Sequence, residues 1–184
     1  LYHNKIYDGA LLSFIPRDRI NQLFSGYIRD EITLIPERLK LTLGTRLDHN
    51  DFTGLEVQPN GRLMWTPNEK NSIWLAISRA VRTPSRAEND VLFNYGTQGK
   101  PPFLTVLQLN GSPHFNSEKL LAYEAGYRYQ LAPQASIDIA AFYNDYSQLR
   151  DLTFDPRLGS FHAGIPSYFL LPIGLNNKAS GQTQ

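Results

Sequence analysis

The side chains that most often do chemistry are sparse in this sequence. Four histidines, His3, His49, His114 and His162, are scattered without ligand spacing. No HExxH, G-x-S-x-G, P-loop or Rossmann glycine pattern occurs, so no nucleophile or phosphate cradle announces itself. Asp48 and Asp51 flank a short polar stretch and have the chemistry for a weak calcium site, although Asp-rich turns are more simply turns. Asn110-Gly111-Ser112 fits a glycosylation sequon and, more simply, an Asn-Gly turn. Cysteine is absent, which excludes a disulfide scaffold and thiolate metal sites. What remains is a mixture of cations and rings: Arg82, Arg86, Phe93, Tyr95, Phe103, His114, Phe115, Phe161 and Tyr168. Guanidinium pairing and ring stacking suit an anionic ligand with aryl groups. The competing use of these residues is to pack loops against each other. His114 and His162 are candidates for a haem or metal-chelate contact, against the plainer role of solvated loop histidines.

The elements that hold these residues read as strands. From Glu118 to Leu149 the chain makes two strands around the turn 131–135. Leu121, Tyr123, Ala125, Tyr127 and Tyr129 alternate with Ala122, Glu124, Gly126, Arg128 and Gln130. Ile137, Ile139, Ala141 and Tyr143 repeat the apolar face on the return. Leu39, Leu41, Leu43, Thr45 and Leu47 alternate with Lys40, Thr42, Gly44, Arg46 and Asp48. Further strands are expected at 21–34, 61–66 and 72–81. Residues 1–19 read as a loop with at most short strand pieces. Residues 50–58, 82–116 and 150–176 read as loops, and 177–184 as polar lead-in to a strand beyond the chain.

Connection lengths alternate in this reading. Those at 35–38, 67–70 and 131–135 are short; those at 50–58, 82–116 and 150–176 are long. A meander sends successive connections to opposite ends, so short turns gather at one end and long loops at the other. Outer-membrane barrels have this polarity. The strands near 10 residues also suit a tilted membrane crossing of about 9–11 residues. Mean hydropathy is −0.35, which does not bear on this point, because barrel strands average out. No apolar run reaches the roughly 18 residues of a transmembrane helix. A net charge of +1 gives no footprint for nucleic acid. The apolar faces carry no charge on the strands 39–49 and 118–131, whereas Arg46, Asp48, Glu124 and Arg128 lie opposite, where a watery lumen is expected. Glu124 and Arg128 would touch neighbouring strands or an interior domain, a cross-strand ion pair being the simpler role. A soluble barrel with these faces exchanged gives the same alternation.

Several stretches resemble the barrel of TonB-dependent outer-membrane receptors. Tyr27-Ile28-Arg29-Asp30-Glu31 followed by Leu41-Thr42-Leu43-Gly44-Thr45-Arg46-Leu47-Asp48 is similar to that family's strand pair ending in "tLGlRyD". Ser78-Arg79-Ala80-Val81-Arg82-Thr83-Pro84-Ser85 resembles "sRgfRaPs". Ser117-Glu118 with Tyr123-Glu124-Ala125-Gly126-Tyr127-Arg128 resembles "sE...yElGyr", and Ala141-Phe142-Tyr143-Asn144-Asp145-Tyr146 resembles "aFynDy". The four stand in family order over roughly residues 20–150. The resemblance implies an all-β antiparallel up-and-down meander, about six to seven strands of a larger transmembrane barrel of about 22 strands around a plug. All 184 residues would be barrel, with plug and C-terminal strands lying outside this chain. It implies an importer in the outer membrane of a Gram-negative bacterium, not an enzyme. Its partners would be outer-membrane lipid, TonB through the plug, and a ferric siderophore; the ferric chelate would be cargo, with no resident cofactor or metal. Arg82 and Arg86 beside Pro84 are then the first candidates for the ligand, with Phe93, Tyr95, His114, Phe115 and His162. Haem-receptor relatives carry "NPNL" where this chain has Ser85-Arg86-Ala87-Glu88, which weighs against haem. Cobalamin, haem, another metal chelate or an oligosaccharide are the alternative cargoes, and a soluble β-sheet binding or adhesion module is the alternative class.

Overall fold

The computed structural model describes residues 2–5, 9, 11–100 and 104–184. Phe103 lies outside the described residues. The strands are β1 (Tyr2–Lys5), β2 (Leu12–Phe14), β3 (Asp18–Asn21), β4 (Leu23–Ile35), β5 (Leu39–Asn50), β6 (Gly54–Asn68), β7 (Asn71–Arg82), β8 (Val91–Gln98), β9 (Leu104–Asn110), β10 (Glu118–Ala132), β11 (Ala135–Phe154), β12 (Ser160–His162) and β13 (Tyr168–Thr183). One short helix, α1 (Arg86–Asp90), and a 3-10 turn at Pro156–Leu158 complete the order. β4, β5, β6, β7, β10, β11 and β13 are long neighbours in one sheet, all antiparallel. The expected all-β meander is therefore the fold.

Three turns close one end. Pro36-Glu37-Arg38 is a tight turn with Glu37 at φ 59, and its carbonyls are taken up by Thr66. At residues 69–70 the Asn68 side chain accepts from the Lys70 N–H at 3.0 Å. The third turn is at 133–134. The opposite end carries a turn at 51–53 as short as these, the longer connections over 83–117 and 155–167, and the β1–β3 pair.

Four expectations are corrected here. Residues 50–58 are not a loop: only 51–53 separate β5 from β6. Pro59 and Gly61 occupy two apolar-face positions and mask an alternation that runs from Leu55 to Trp65. The β6–β7 ladder begins only at Asn60, one residue past Pro59, which has no N–H to donate. The Asn50 side chain folds the turn by accepting from the N–H groups of Phe52 and Thr53, both at 2.9 Å, and Gly54 takes φ +72. Residues 82–116 hold α1 and the β8–β9 hairpin rather than loop alone. Residues 150–176 include the end of β11, β12 and the start of β13. Residues 177–183 complete β13, which pairs with β11 as far as Thr183, so that strand lies within the chain. One pairing departs from the antiparallel rule: β9 lies parallel to the first half of β13, because β9 belongs to a hairpin inserted at the loop end.

The register lines up the two faces. Ile32, Leu41, Leu63, Leu75, Ala125 and Ala141 form one row across six strands. The opposite face carries Arg46, Asp48, Gln58, Arg62, Trp74, Glu124, Arg128 and Asp138. None of the described residues covers the apolar side. Leu43 is 46% exposed, Leu75 53% and Ile139 62%. A soluble sandwich or barrel would bury that face against a second layer. Among the described residues only Val91, Phe115 and Ala122 are buried hydrophobics.

Candidate ligand-facing rim

The buried groups gather at the loop end of the sheet, around α1. Ser85 caps the helix: its hydroxyl accepts from the Glu88 N–H at 3.4 Å, and the Glu88 carboxylate accepts from the Ser85 N–H at 2.8 Å. This reciprocal pair satisfies two N–H groups that a helix start leaves open. The same carboxylate accepts from Arg82 at 2.6 and 3.1 Å. Arg82 reaches on to Glu118 at 2.7 Å, and Glu118 accepts from the Arg150 backbone at 2.9 Å. The ends of β7, β10 and β11 are thereby tied to α1. Burial pushes the Glu88 carboxyl up, but hydrogen bonds from Arg82 and from the Ser85 N–H and hydroxyl outweigh it and hold the group below its ordinary value.

A second carboxylate ties α1 to the N-terminal segment. Asp90 accepts from Arg19 at 2.6 Å and pairs with Arg86 at 3.4 Å. Arg86 also donates to the carbonyls of Pro16 and Arg17 at 2.5 and 2.6 Å and lies 5.2 Å over the Phe14 ring. Arg19 lies 4.5 Å over Phe52 in the β5–β6 turn. Phe115 and Ser117, 2% and 1% exposed, seal the centre, with the Ser117 hydroxyl 3.2 Å from that of Thr53. Asn177 braces the far side, accepting from the Asn116 N–H at 2.7 Å and donating to the carbonyls of Asn116 and Gln148 at 3.0 Å each.

Arg82 and Arg86, the first choices for an anionic ligand, thus engage this chain's own carboxylates and carbonyls. Phe115 packs the loops. His114 is exposed. Phe93 and Tyr95 meet edge to face at 6.3 Å, and Tyr95 is 73% exposed. His162 stacks on Tyr168 at 4.9 Å and is 2.9 Å from the Ser160 hydroxyl, with Phe161 exposed beside it. The rings are therefore presented and the guanidiniums are spent. Asp48 and Asp51 do not converge: Asp48 accepts from Arg46 at 2.9 Å and Gln58 at 2.8 Å, while Asp51 accepts from the Gln22 N–H at 2.6 Å. No group of three metal-ligating side chains occurs among the described residues.

On the polar face below the rim, Arg128 makes a cross-strand ion pair with Asp138 over the β10–β11 ladder. Glu124 lies between Ala76 and Phe142. Arg62 sits 4.9 Å over the Trp74 ring, which lies against Gly126. The sequence reading missed Arg62, Trp74, Arg19, Asp90 and Asn177. One signal for α1 was present: Ser85-x-x-Glu88 is a capping box. Asp90 also stands four residues after Arg86, at helical ion-pair spacing, whereas Arg62 and Trp74 meet only across a strand pair, and the Arg19–Asp90 and Asn116–Asn177 contacts span 71 and 61 residues.

The sequence model described as TonB dependent receptor-like, beta-barrel matches residues 2–172. Among solved structures, a mutant of the ferric enterobactin receptor PfeA of Pseudomonas aeruginosa in complex with enterobactin superposes with a TM-score of 0.75 at 22% identity, covering 90% of this chain and 24% of that one. The siderophore receptor PirA of Acinetobacter baumannii gives 0.69 at 17% identity, covering 88% and 24%. PirA of Pseudomonas aeruginosa gives 0.66 at 20%, covering 90% and 30%. The chain thus spans about a quarter of the length of the first two. No curated protein matches the sequence.

Proposed function

The chain belongs to the TonB dependent receptor-like β-barrel family, and from that premise we propose that it is wall and rim of an outer-membrane importer for a ferric siderophore, energised through TonB. One observation carries the membrane part of this reading. Six long strands, β4 to β7, β10 and β11, present a bare apolar face across their middle on one side and ion-paired side chains on the other. Water outside both faces would make that apolar side a large exposed patch, whereas hydrocarbon outside and a watery bore inside satisfy both. In the whole receptor, further strands pair with the free edge of β4 and a plug domain fills the bore, with TonB acting through the plug.

For the cargo, the support is the ring-rich rim and the siderophore receptors among the structural neighbours. Phe93, Tyr95, Phe161 and the His162–Tyr168 stack offer faces to aryl groups of a ferric catecholate. Arg82, Arg86 and Phe115 act one step back, holding the rim that presents those rings. The protein moves its cargo and catalyses no covalent step on it.

The test is uptake by the intact gene in an iron-starved host lacking its own receptors. Ferric catecholate uptake that needs TonB and falls when Tyr95 and Phe161 are both replaced by Ala is the expected result. Uptake of cobalamin, haem or an oligosaccharide with no ferric siderophore uptake would replace the cargo. A full-length product that fractionates as soluble would overturn the membrane assignment.

A further inference from the structure

One carboxylate contradicts the wall around it. Asp30 lies on the apolar face of β4, opposite Leu43 of β5. Along its own strand it is bracketed by Phe24, Gly26 and Ile28 on one side and Ile32 and Leu34 on the other. It therefore sits in the middle of the band that the reading above turns to hydrocarbon. It is exposed, and among the described residues it makes no hydrogen bond or ion pair. A charge in that position is costly, and such residues are found paired.

A second unmet group adjoins it. Thr45, opposite Ile28 and so diagonal to Asp30, has a buried hydroxyl oxygen without a partner. Diagonal neighbours of this kind lie within about 7–8 Å. A carboxylate with an unmet hydroxyl diagonal to it thus forms a polar notch beside the free edge of β4, the last strand of the sheet.

We infer that this notch is met by a lysine or arginine side chain from the strand that adds to the free edge of β4, with its cation on Asp30. The inference rests on the membrane-wall reading. The chemistry narrows the occupant. An acyl chain offers no donor, and a lipid headgroup does not reach mid-band. A second copy would need a cation on the same face to be self-complementary. The outward positions of β4 to β6 hold none: they read Phe24, Gly26, Ile28, Asp30, Ile32, Leu34; Leu39, Leu41, Leu43, Thr45, Leu47, His49; and Leu55, Val57, Pro59, Gly61, Leu63, Trp65.

The experiment uses the full-length receptor refolded in lipid vesicles. Asp30→Asn and Asp30→Leu should both lower the thermal unfolding midpoint, and exchanging the charges of Asp30 and the facing cation should restore it. If Asp30→Leu raises the midpoint or leaves it unchanged, the carboxylate stood unpaired and the inference falls. It also falls if the adjoining strand has no outward Lys or Arg within reach, or if Asp30→Leu turns a dimer into monomers. Should Asp30→Leu fail to fold, Asp30→Asn and the charge exchange decide the matter. A tryptophan introduced by Leu43→Trp, quenched by brominated lipid, checks the wall separately. Absence of quenching defeats the wall reading, whereas quenching with a stabilising Asp30→Leu defeats only the notch.

Discussion

Replacing Glu88 by Gln removes the charge at the centre of the rim while keeping its shape. Glu88 is 3% exposed and takes four short contacts, two from Arg82 and two from Ser85. Breaking a buried pair on one side costs about 3–5 kcal/mol when the orphan charge stays buried. Arg82 is half exposed and keeps Glu118, so its orphan cost is screened, and about 2 kcal/mol is the better figure. Opening of the 83–117 insertion should then become about 30-fold more frequent. Amide hydrogen exchange of the full receptor reads this directly at Ser112, whose N–H donates to the Glu88 carbonyl at 2.8 Å. The pH dependence has a definite sign. The folded carboxyl is held below its ordinary value, so its contribution is present above the unfolded value and is lost as pH falls through the folded one. Protection of Ser112 in the unchanged protein should therefore be flat near neutrality and decline only in acid, below about pH 4, and Glu88→Gln should shrink that decline to what Glu118 contributes through Arg82. Exchange at Ser112 within threefold of the unchanged protein, about 0.6 kcal/mol, would refute the ion network as the rim's clamp.

Leu41→Lys puts a cation in the apolar band and should cost about 2–4 kcal/mol of folding stability in vesicles, whereas Thr42→Lys, one residue on but facing the bore, should cost little; urea midpoints compare them. Gly126→Ala places a methyl where the Trp74 ring lies; moving the ring off Arg62 should change tryptophan emission and cost about 1–3 kcal/mol. Phe115→Ala empties the largest sealed side-chain site of the rim and should cost about 3–5 kcal/mol locally, seen as faster protease cleavage within 83–117 with the strand amides still protected.

The strands were legible where alternation was clean. β5, β10 and β11 follow from Leu39–Leu47, Tyr123–Tyr129 and Ile137–Tyr143, because period two on a single buried or lipid-facing side leaves a plain trace. β6 was half hidden because Pro59 and Gly61 stand where an apolar side chain would have continued the pattern. β8 and β9 were hidden by the Pro, Gly and Asn around them, and the second half of β13 by residues such as Asn177 and Ser180, which read as polar loop. The rim was the least legible part. Arg82 and Arg86 look like ligand groups in sequence, since an arginine beside a proline in a long connection advertises nothing about Glu118 or the Pro16 carbonyl.

On the proposed function, that reassignment moves ligand specificity from the guanidiniums to the rings. A guanidinium saturated by two carboxylates has little left for an anion, and withdrawing it for a ligand would cost the rim its clamp. Exposed rings carry no such cost: Tyr95, Phe161 and the His162–Tyr168 pair can meet a flat aryl group without breaking a contact that holds the fold. The β8–β9 hairpin carrying Tyr95 and the β12 segment carrying Phe161 both hang on the first half of β13, one directly through the parallel β9 pairing and the other through β12. A ligand stacking on one set therefore loads the same strand as a ligand stacking on the other. Since the second half of β13 runs down the wall beside β11, the two ring clusters share a single support, and their relative position is set by the register of one strand rather than by two independent loops.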